Sequence, residues 1–158
     1  MPHTAIDEHA MENPPSLLLE NNLCFSLYVT SREFINRYTP LLAGIGLTYT
    51  QYVTMMVLWQ EKQILTKDLR AKLFLDSGTL TPVLKKLEDK KLITKERSKM
   101  DARDVIVTIT ADGLALEEEA LGVQAEVAKS FEGMEAAGHL MASLQDMMAF
   151  FRAQRKEN

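Results

Sequence analysis

The chain has one cysteine, Cys24, among 158 residues. No intrachain disulfide is possible, and a cytoplasmic protein is the expectation. No apolar run approaches the ~20 residues that a membrane-spanning helix needs. The opening stretch M1-P2-H3-T4-A5-I6-D7-E8-H9-A10 is polar and acidic, without the apolar core of a secretory signal. A membrane is therefore not an expected partner. No phosphate-cradling glycine loop and no metal-ligand spacing occurs, so no cofactor and no metal is expected. His3 and His9 lie near the start and His139 stands alone in a late segment. These absences leave one enzymatic option, a thiol peroxidase using Cys24. Turnover would want a resolving thiol or a dedicated reductant, and with no second cysteine the chain is not expected to be an enzyme.

What is present is ordinary in amount and uneven in placement. Hydrophobic residues make up 46% and charged residues 25%, the balance of a globular domain. The formal charge is −4, which by itself argues against nucleic acid. Residues 77–104, however, contain eight Lys/Arg against five acids, whereas residues 110–149 contain eight acids and one lysine. A basic middle third is followed by an acidic last third.

Periodicity and punctuation give an order of elements. Residues 1–13 carry no pattern and read as a flexible tail. Pro14-Pro15 suits a helix start, and the spacing of Leu19, Leu23, Leu27, Phe34, Ile35 and Tyr38 predicts one long helix from Leu17, ended by Pro40 and Gly44. On a helix beginning there, Cys24 would lie beyond the reach of its own helix's N-terminal dipole. Thr48 with Gln51 is a capping box opening a helix over 49–60. Thr66 is expected to cap a short helix through Leu73, and Asp76-Ser77 another over 78–90. In the latter, Leu80, Val83, Leu84 and Leu87 form one buried stripe. Strands are predicted at 92–97 and 105–109 around the polar loop S98-K99-M100-D101-A102-R103-D104. Helices over 111–131 and 135–155, parted near Gly133, close the chain.

Two short helices followed by a basic-tipped hairpin describe a winged helix-turn-helix. The expected fold is mainly α with a small β wing: a tail at 1–13 and one domain over 14–158, with the winged unit at 47–110. The flanking helices at 14–46 and 111–158 have the apolar surplus of a dimerisation region. The face of the second short helix opposite the leucine stripe suits a major groove. Ser77, Thr79 and Thr81 can bond phosphates or base edges, helped by free backbone N–H groups at the helix start. Pro82 is compact enough to meet a thymine methyl, and Lys85 and Lys86 can neutralise phosphate. Arg103, at the loop tip, can enter a narrow minor groove.

The residues around Cys24 leave two readings: an inert buried thiol packed as a small hydrophobe, or a reactive one. Tyr28 lies one turn beyond Cys24 on the same helical face. Tyr38 points in nearly the same direction but sits ~21 Å further along the axis. One straight helix cannot bring Tyr38 to the thiol, while two such helices meeting antiparallel in a dimer can. A reactive Cys24 would act as thiolate. Its apolar neighbours Leu23, Phe25 and Leu27 disfavour that form, and hydrogen bonds from phenols favour it.

The stretch D76-S77-G78-T79-L80-T81-P82-V83-L84-K85-K86-L87-E88, followed by D101-A102-R103 and I109-T110-A111-D112-G113, resembles the MarR family of winged-helix repressors. Upstream, L23-C24-F25, Y28, S31-R32-E33, Y38, P40-L41-L42 and L47-T48-Y49-T50-Q51-Y52 make it similar to the organic hydroperoxide resistance regulator branch, one-cysteine type. The resemblance implies a homodimeric repressor on double-stranded DNA with a pseudopalindromic operator. It places Thr79, Thr81, Pro82 and Lys85 in the major groove and Arg103 in the minor groove, with Asp101 orienting that arginine. It makes Cys24 the sensor of an organic hydroperoxide, with the residue at Tyr38 reaching it across the dimer and Tyr28 in the same network. With no second cysteine, inactivation would proceed through a mixed disulfide with a small cellular thiol, a sulfenamide or over-oxidation. Family members usually carry glycine where this chain has Lys91. The rival within the family is a repressor released by a small aromatic ligand, with Cys24 structural.

Overall fold

The computed structural model describes residues 18–99, 101, 104–134 and 137–156, and the chain forms two compact units divided after Glu117. The first unit opens with a 3-10 turn at Leu19–Asn21 and then α1, Leu23–Gly44. The helix thus starts at Leu23 rather than Leu17. Asn22 is the reason: its backbone is extended and its side-chain carbonyl accepts the Phe25 N–H at 2.9 Å. An asparagine that takes up a downstream N–H in this way caps a helix and does not continue it. The proposed start at Pro14-Pro15 lies outside the described residues.

Pro40 does not end α1 either. The ring removes one N–H, that which would have met the Asn36 carbonyl, and both residues lie on the exposed side where water can satisfy the orphan. Termination comes at Gly46, whose φ of +73° lets its N–H and that of Leu47 fold back onto Ala43 and Leu42 at 3.1 and 2.9 Å. The chain then turns by 76° into α2, Tyr49–Glu61. Thr48 and Gln51 close the expected capping box reciprocally.

α2 is the hub, packing against α1, α3 (Thr66–Leu73), α4 (Ser77–Asp89), β1 (Gln63–Leu65) and β3 (Val105–Ile109). Met55 and Leu58 on α2 are fully buried, as are Leu69 of α3 and Leu80 and Leu87 of α4. Each such side chain contributes about 1.5–3 kcal/mol through burial. β2, Ile93–Arg97, and β3 form the wing, and β1 adds a third strand in the antiparallel order β1-β3-β2. β1 was invisible in the sequence because three residues show no alternation. Its register sets Ile64 against Val107, both buried.

Thr66 does not cap α3. The cap position falls on Leu65 without a side-chain bond, and the Thr66 hydroxyl instead donates to the Val105 carbonyl at 3.0 Å. After β3, the expected helix over 111–131 divides into α5, Ala111–Ala115, and α6, Glu117–Lys129. The Gly113 carbonyl, which in an unbroken helix would receive the Glu117 N–H, takes the Trp59 indole N–H at 2.8 Å. Gly113 itself is required by closeness: an added Cβ would stand 2.3 Å from the Leu92 carbonyl oxygen.

The second unit holds α6 and α7, Ala137–Lys156. On α6, Ala120, Val123 and Val127 are buried. Among the described side chains of α7, none is. Leu140, Met141, Met148, Phe150 and Phe151 are exposed. No single helix among the described residues is long and apolar enough to cross a membrane.

Candidate nucleic-acid interface and cysteine site

α4 has the geometry of a reading helix. Leu80, Leu84 and Leu87 hold one side in the core, and Ser77, Thr79, Thr81, Pro82, Lys85 and Lys86 are all exposed. The spacing aligns Ser77, Thr81 and Lys85 in one row and Thr79, Pro82 and Lys86 in the next. Pro82 is the sixth residue of the helix and does not break it.

The helix start is less open than the sequence implied. Asp76 caps it, accepting the Thr79 N–H at 2.8 Å and the Thr79 hydroxyl at 3.0 Å. Those bonds, the backbone one foremost, hold the Asp76 carboxyl below the usual carboxylate range. The Thr81 hydroxyl donates to the Ser77 carbonyl at 2.7 Å. Thr79 therefore lacks a free N–H, and both threonine hydroxyls spend their hydrogens inside the helix. What their oxygens present outward is acceptor capacity.

The wing is anchored to α3 by two contacts that the sequence did not disclose. One is the Thr66 hydroxyl on Val105; the other is the Lys67 ammonium on Asp104 at 2.8 Å. Asp104, chiefly by that hydrogen bond, raises the Lys67 ammonium above its ordinary range. Within the loop, the Asp104 N–H bonds the Asp101 carbonyl at 2.9 Å and the Ser98 N–H bonds the Asp104 carbonyl at 2.8 Å. Asp101 is exposed. Arg103 lies outside the described residues, and with it the expected Asp101–Arg103 pairing.

Cys24 is exposed, in the second position of α1. The late start of the helix reverses the expectation about its dipole: the thiol sits in the first turn, where the positive end of the macrodipole favours anions. Tyr28, one turn on, is 59% exposed with the Arg32 guanidinium 5.5 Å from its ring centre. α1 runs unbroken from Leu23 to Gly44, so Tyr38 stands ~21 Å from Cys24 along the same axis. Within one chain the two are not brought together.

Tyr38 has other company. Its ring centre lies 5.5 Å from that of Tyr49 and 5.6 Å from that of Tyr52, and Tyr52 lies 6.3 Å from Trp59. Burial pushes the Tyr38, Tyr49 and Tyr52 phenols up, and neighbouring phenols push those of Tyr38 and Tyr52 further. All three thus remain protonated donors across the physiological range. Sequence reasoning singled out Tyr38 alone, because helical spacing cannot relate residue 38 to residue 49 across a turn. The tyrosine-rich L-T-Y-T-Q-Y cap was the only signal available.

A short helix, an exposed hydroxyl- and lysine-bearing second helix and an anchored hairpin define a winged helix-turn-helix DNA-binding protein. The family model for the transcriptional regulators SarA/Rot matches residues 37–119. The organic hydroperoxide resistance transcriptional regulator of Bacillus subtilis is 45% identical over 114 residues, 72% of this chain and 78% of that protein. SarZ of Staphylococcus haemolyticus is 39% identical over 132 residues, 83% of this chain and 90% of that one. Among solved structures, AbfR of Staphylococcus epidermidis is similar at a TM-score of 0.71 and 32% identity, over 84% of this chain and 92% of that one. AbfR has also been solved bound to DNA in reduced and overoxidized forms. The chain belongs to the SarA/Rot family of MarR-type winged-helix transcriptional regulators, on the organic hydroperoxide resistance branch.

Proposed function

We propose that this regulator is a homodimeric, cytoplasmic repressor that leaves its operator when Cys24 is oxidised by an organic hydroperoxide. The observation that carries the reading is the placement of Cys24: exposed in the first turn of a capped helix whose far half carries the half-buried Tyr38, packed against Tyr49 and Tyr52 of α2. Only a second copy, its α1 antiparallel to the first, can supply those donors to the thiol. The exposed apolar residues Leu19, Leu23 and Phe25, with the unburied α7, supply surface for such a dimer. The flanking segments 14–46 and 111–158 are thus assigned to dimerisation.

The chemistry follows from those neighbours. The Cys24 thiolate attacks the distal peroxide oxygen, the O–O bond breaks, and an alcohol leaves while the sulfur becomes a sulfenate. A small cellular thiol then condenses with the sulfenic acid, releasing water and leaving a mixed disulfide. That AbfR stands on DNA in its overoxidized form favours a bulky adduct over added oxygen atoms as the releasing step here. In the antiparallel dimer the adduct enlarges the site between the two α1 helices and moves the two reading heads out of register with successive grooves.

On the operator, α4 occupies the major groove with Ser77, Thr79, Thr81 and Pro82 at base edges or phosphates and Lys85 and Lys86 on the backbone. Arg103 takes the minor groove, oriented by Asp101. Because the Thr79 and Thr81 hydrogens are engaged internally, their oxygens suit the amino groups of adenine or cytosine. The test is fluorescence anisotropy on a labelled pseudopalindromic operator, adding an organic hydroperoxide and a small thiol to wild type and to Cys24→Ser. Wild type should dissociate and the variant should stay. Release of the variant would remove the redox mechanism, and retention of both would direct the search to a small-molecule effector.

A further inference from the structure

The end of the reading helix is tied to the turn that carries two of the tyrosines. Lys90 is the C-cap of α4, its own N–H turned back onto the carbonyls of the last turn. Its ammonium donates to the Gln51 side-chain carbonyl at 2.8 Å and to the Gly46 backbone carbonyl. Gly46 is the left-handed residue closing α1. Gln51, 2% exposed, belongs to the capping box opening α2, and its same side-chain oxygen accepts the Thr48 N–H at 3.2 Å. One cation therefore touches the end of α1 and the start of α2 from the end of α4. Carbonyls at a helix C-terminus carry partial negative charge, and charge-assisted bonds are stronger than neutral ones.

Gln51 sits between Tyr49 and Tyr52 in the first turn and a half of α2, and both rings pack on Tyr38. A displacement of that tyrosine cluster must move the 46–51 turn, and the turn is bonded to α4 through Lys90. We propose that Lys90 is a positioning residue that couples the tyrosine cluster to the orientation of the reading helix, acting through Gln51 and Gly46 and not through DNA. The inference rests on the redox reading above, and it adds the link by which a change at the cluster reaches α4. Lys85 and Lys86 point to the groove in that reading; Lys90, exposed on the same helix, bonds its ammonium to its own protein.

The experiment compares operator dissociation constants for the reduced and the peroxide-plus-thiol-treated protein, in wild type, Lys90→Met and Lys90→Arg. It also takes the salt dependence of binding for each reduced protein. Lys90→Met keeps the aliphatic stem and removes charge and donors. It should lower the oxidised-to-reduced ratio by about fivefold or more, the lower end of ordinary coupling between sites. Its salt slope should match wild type, and Lys90→Arg should recover most of the ratio. A wild-type ratio left unchanged by Lys90→Met overturns the inference alone. A salt slope reduced by about 0.9 makes Lys90 a phosphate contact and overturns it too. A wild-type ratio of one removes the redox reading and this inference with it.

Discussion

Replacing Gly113 by alanine should be among the most damaging single-methyl changes available to this fold. The added Cβ would lie 2.3 Å from the Leu92 carbonyl oxygen, 2.8 Å from the Ile109 Cγ1 and 3.2 Å from the Leu92 carbonyl carbon. None of these can retreat cheaply. The Leu92 carbonyl accepts the Thr110 N–H at 3.0 Å, and the neighbouring Lys91 carbonyl accepts the Thr110 hydroxyl at 2.6 Å. The Gly113 carbonyl is held by Trp59 and the Gly113 N–H by the Thr110 hydroxyl at 3.1 Å. Overpacking against immobile backbone costs about 1–3 kcal/mol, and loss of the buried indole bond adds about 1 kcal/mol. A total near 3 kcal/mol corresponds to a fall in Tm of roughly 6–12 °C for a chain of this size. The chain has one tryptophan, so Trp59 fluorescence in a urea titration reports this junction directly. Gly122, in α6, is the matched control: nothing lies within 4 Å of its added Cβ. Alanine there should stabilise by about 0.5–1 kcal/mol, as in any helix interior. Equal effects at the two positions, or a Gly113→Ala protein within about 0.5 kcal/mol of wild type, the usual range for an uncrowded surface change, would refute the steric argument.

Lys91 holds φ at +62° in the position where the Leu92 N–H folds back onto Leu87 at 3.0 Å. Lys91→Gly should therefore stabilise by about 1 kcal/mol, less what glycine adds to unfolded-chain entropy, read as a higher urea midpoint at unchanged m-value. Asn22→Ala removes the cap of the turn that holds Cys24, and should slow the second-order reaction of the thiol with an organic hydroperoxide, while Asn22→Asp keeps the cap acceptor. Stopped-flow measurement of sulfenic acid formation decides it; an unchanged rate for Asn22→Ala would show that the capped first turn does not activate Cys24. Asp76 is held below its unfolded value near 3.8, so its contribution to stability is complete above that pH and lost as pH falls through the lower folded value. Wild type should be the more stable protein above that acid window and the curves of wild type and Asp76→Asn should converge as pH falls through it, and curves parallel throughout would argue against the Thr79 bonds as its source.

Much of the architecture was legible because it is locally determined. The capping box at Thr48 and Gln51, the Asp76 cap and the leucine stripe of α4 each depend on groups within one or two turns of each other. The alternation V105-I106-V107-T108-I109 likewise announced β3. Errors arose where a local rule had a competitor. Asn22 captured the Phe25 N–H and started α1 late, Pro40 was accommodated on an exposed face, and Trp59 intercepted the Gly113 carbonyl from 54 residues away. Thr66 has the chemistry of a cap but found a strand carbonyl instead.

By itself, then, the sequence determined the order of the first four helices and the two wing strands, the exposed face of α4 opposite its leucines and the presence of one cysteine one turn before a tyrosine. Periodicity and hydrogen bonding over a few residues suffice for those. Only the tertiary structure decided that Tyr38 joins Tyr49 and Tyr52, that Thr66 and Lys67 hold the wing, and that Lys90 bonds its ammonium to Gln51 and Gly46. These contacts depend on the 76° turn between α1 and α2 and on how the leucine-packed helices seat against that corner. Such angles are set by side-chain packing across the core, and no spacing along the chain encodes them.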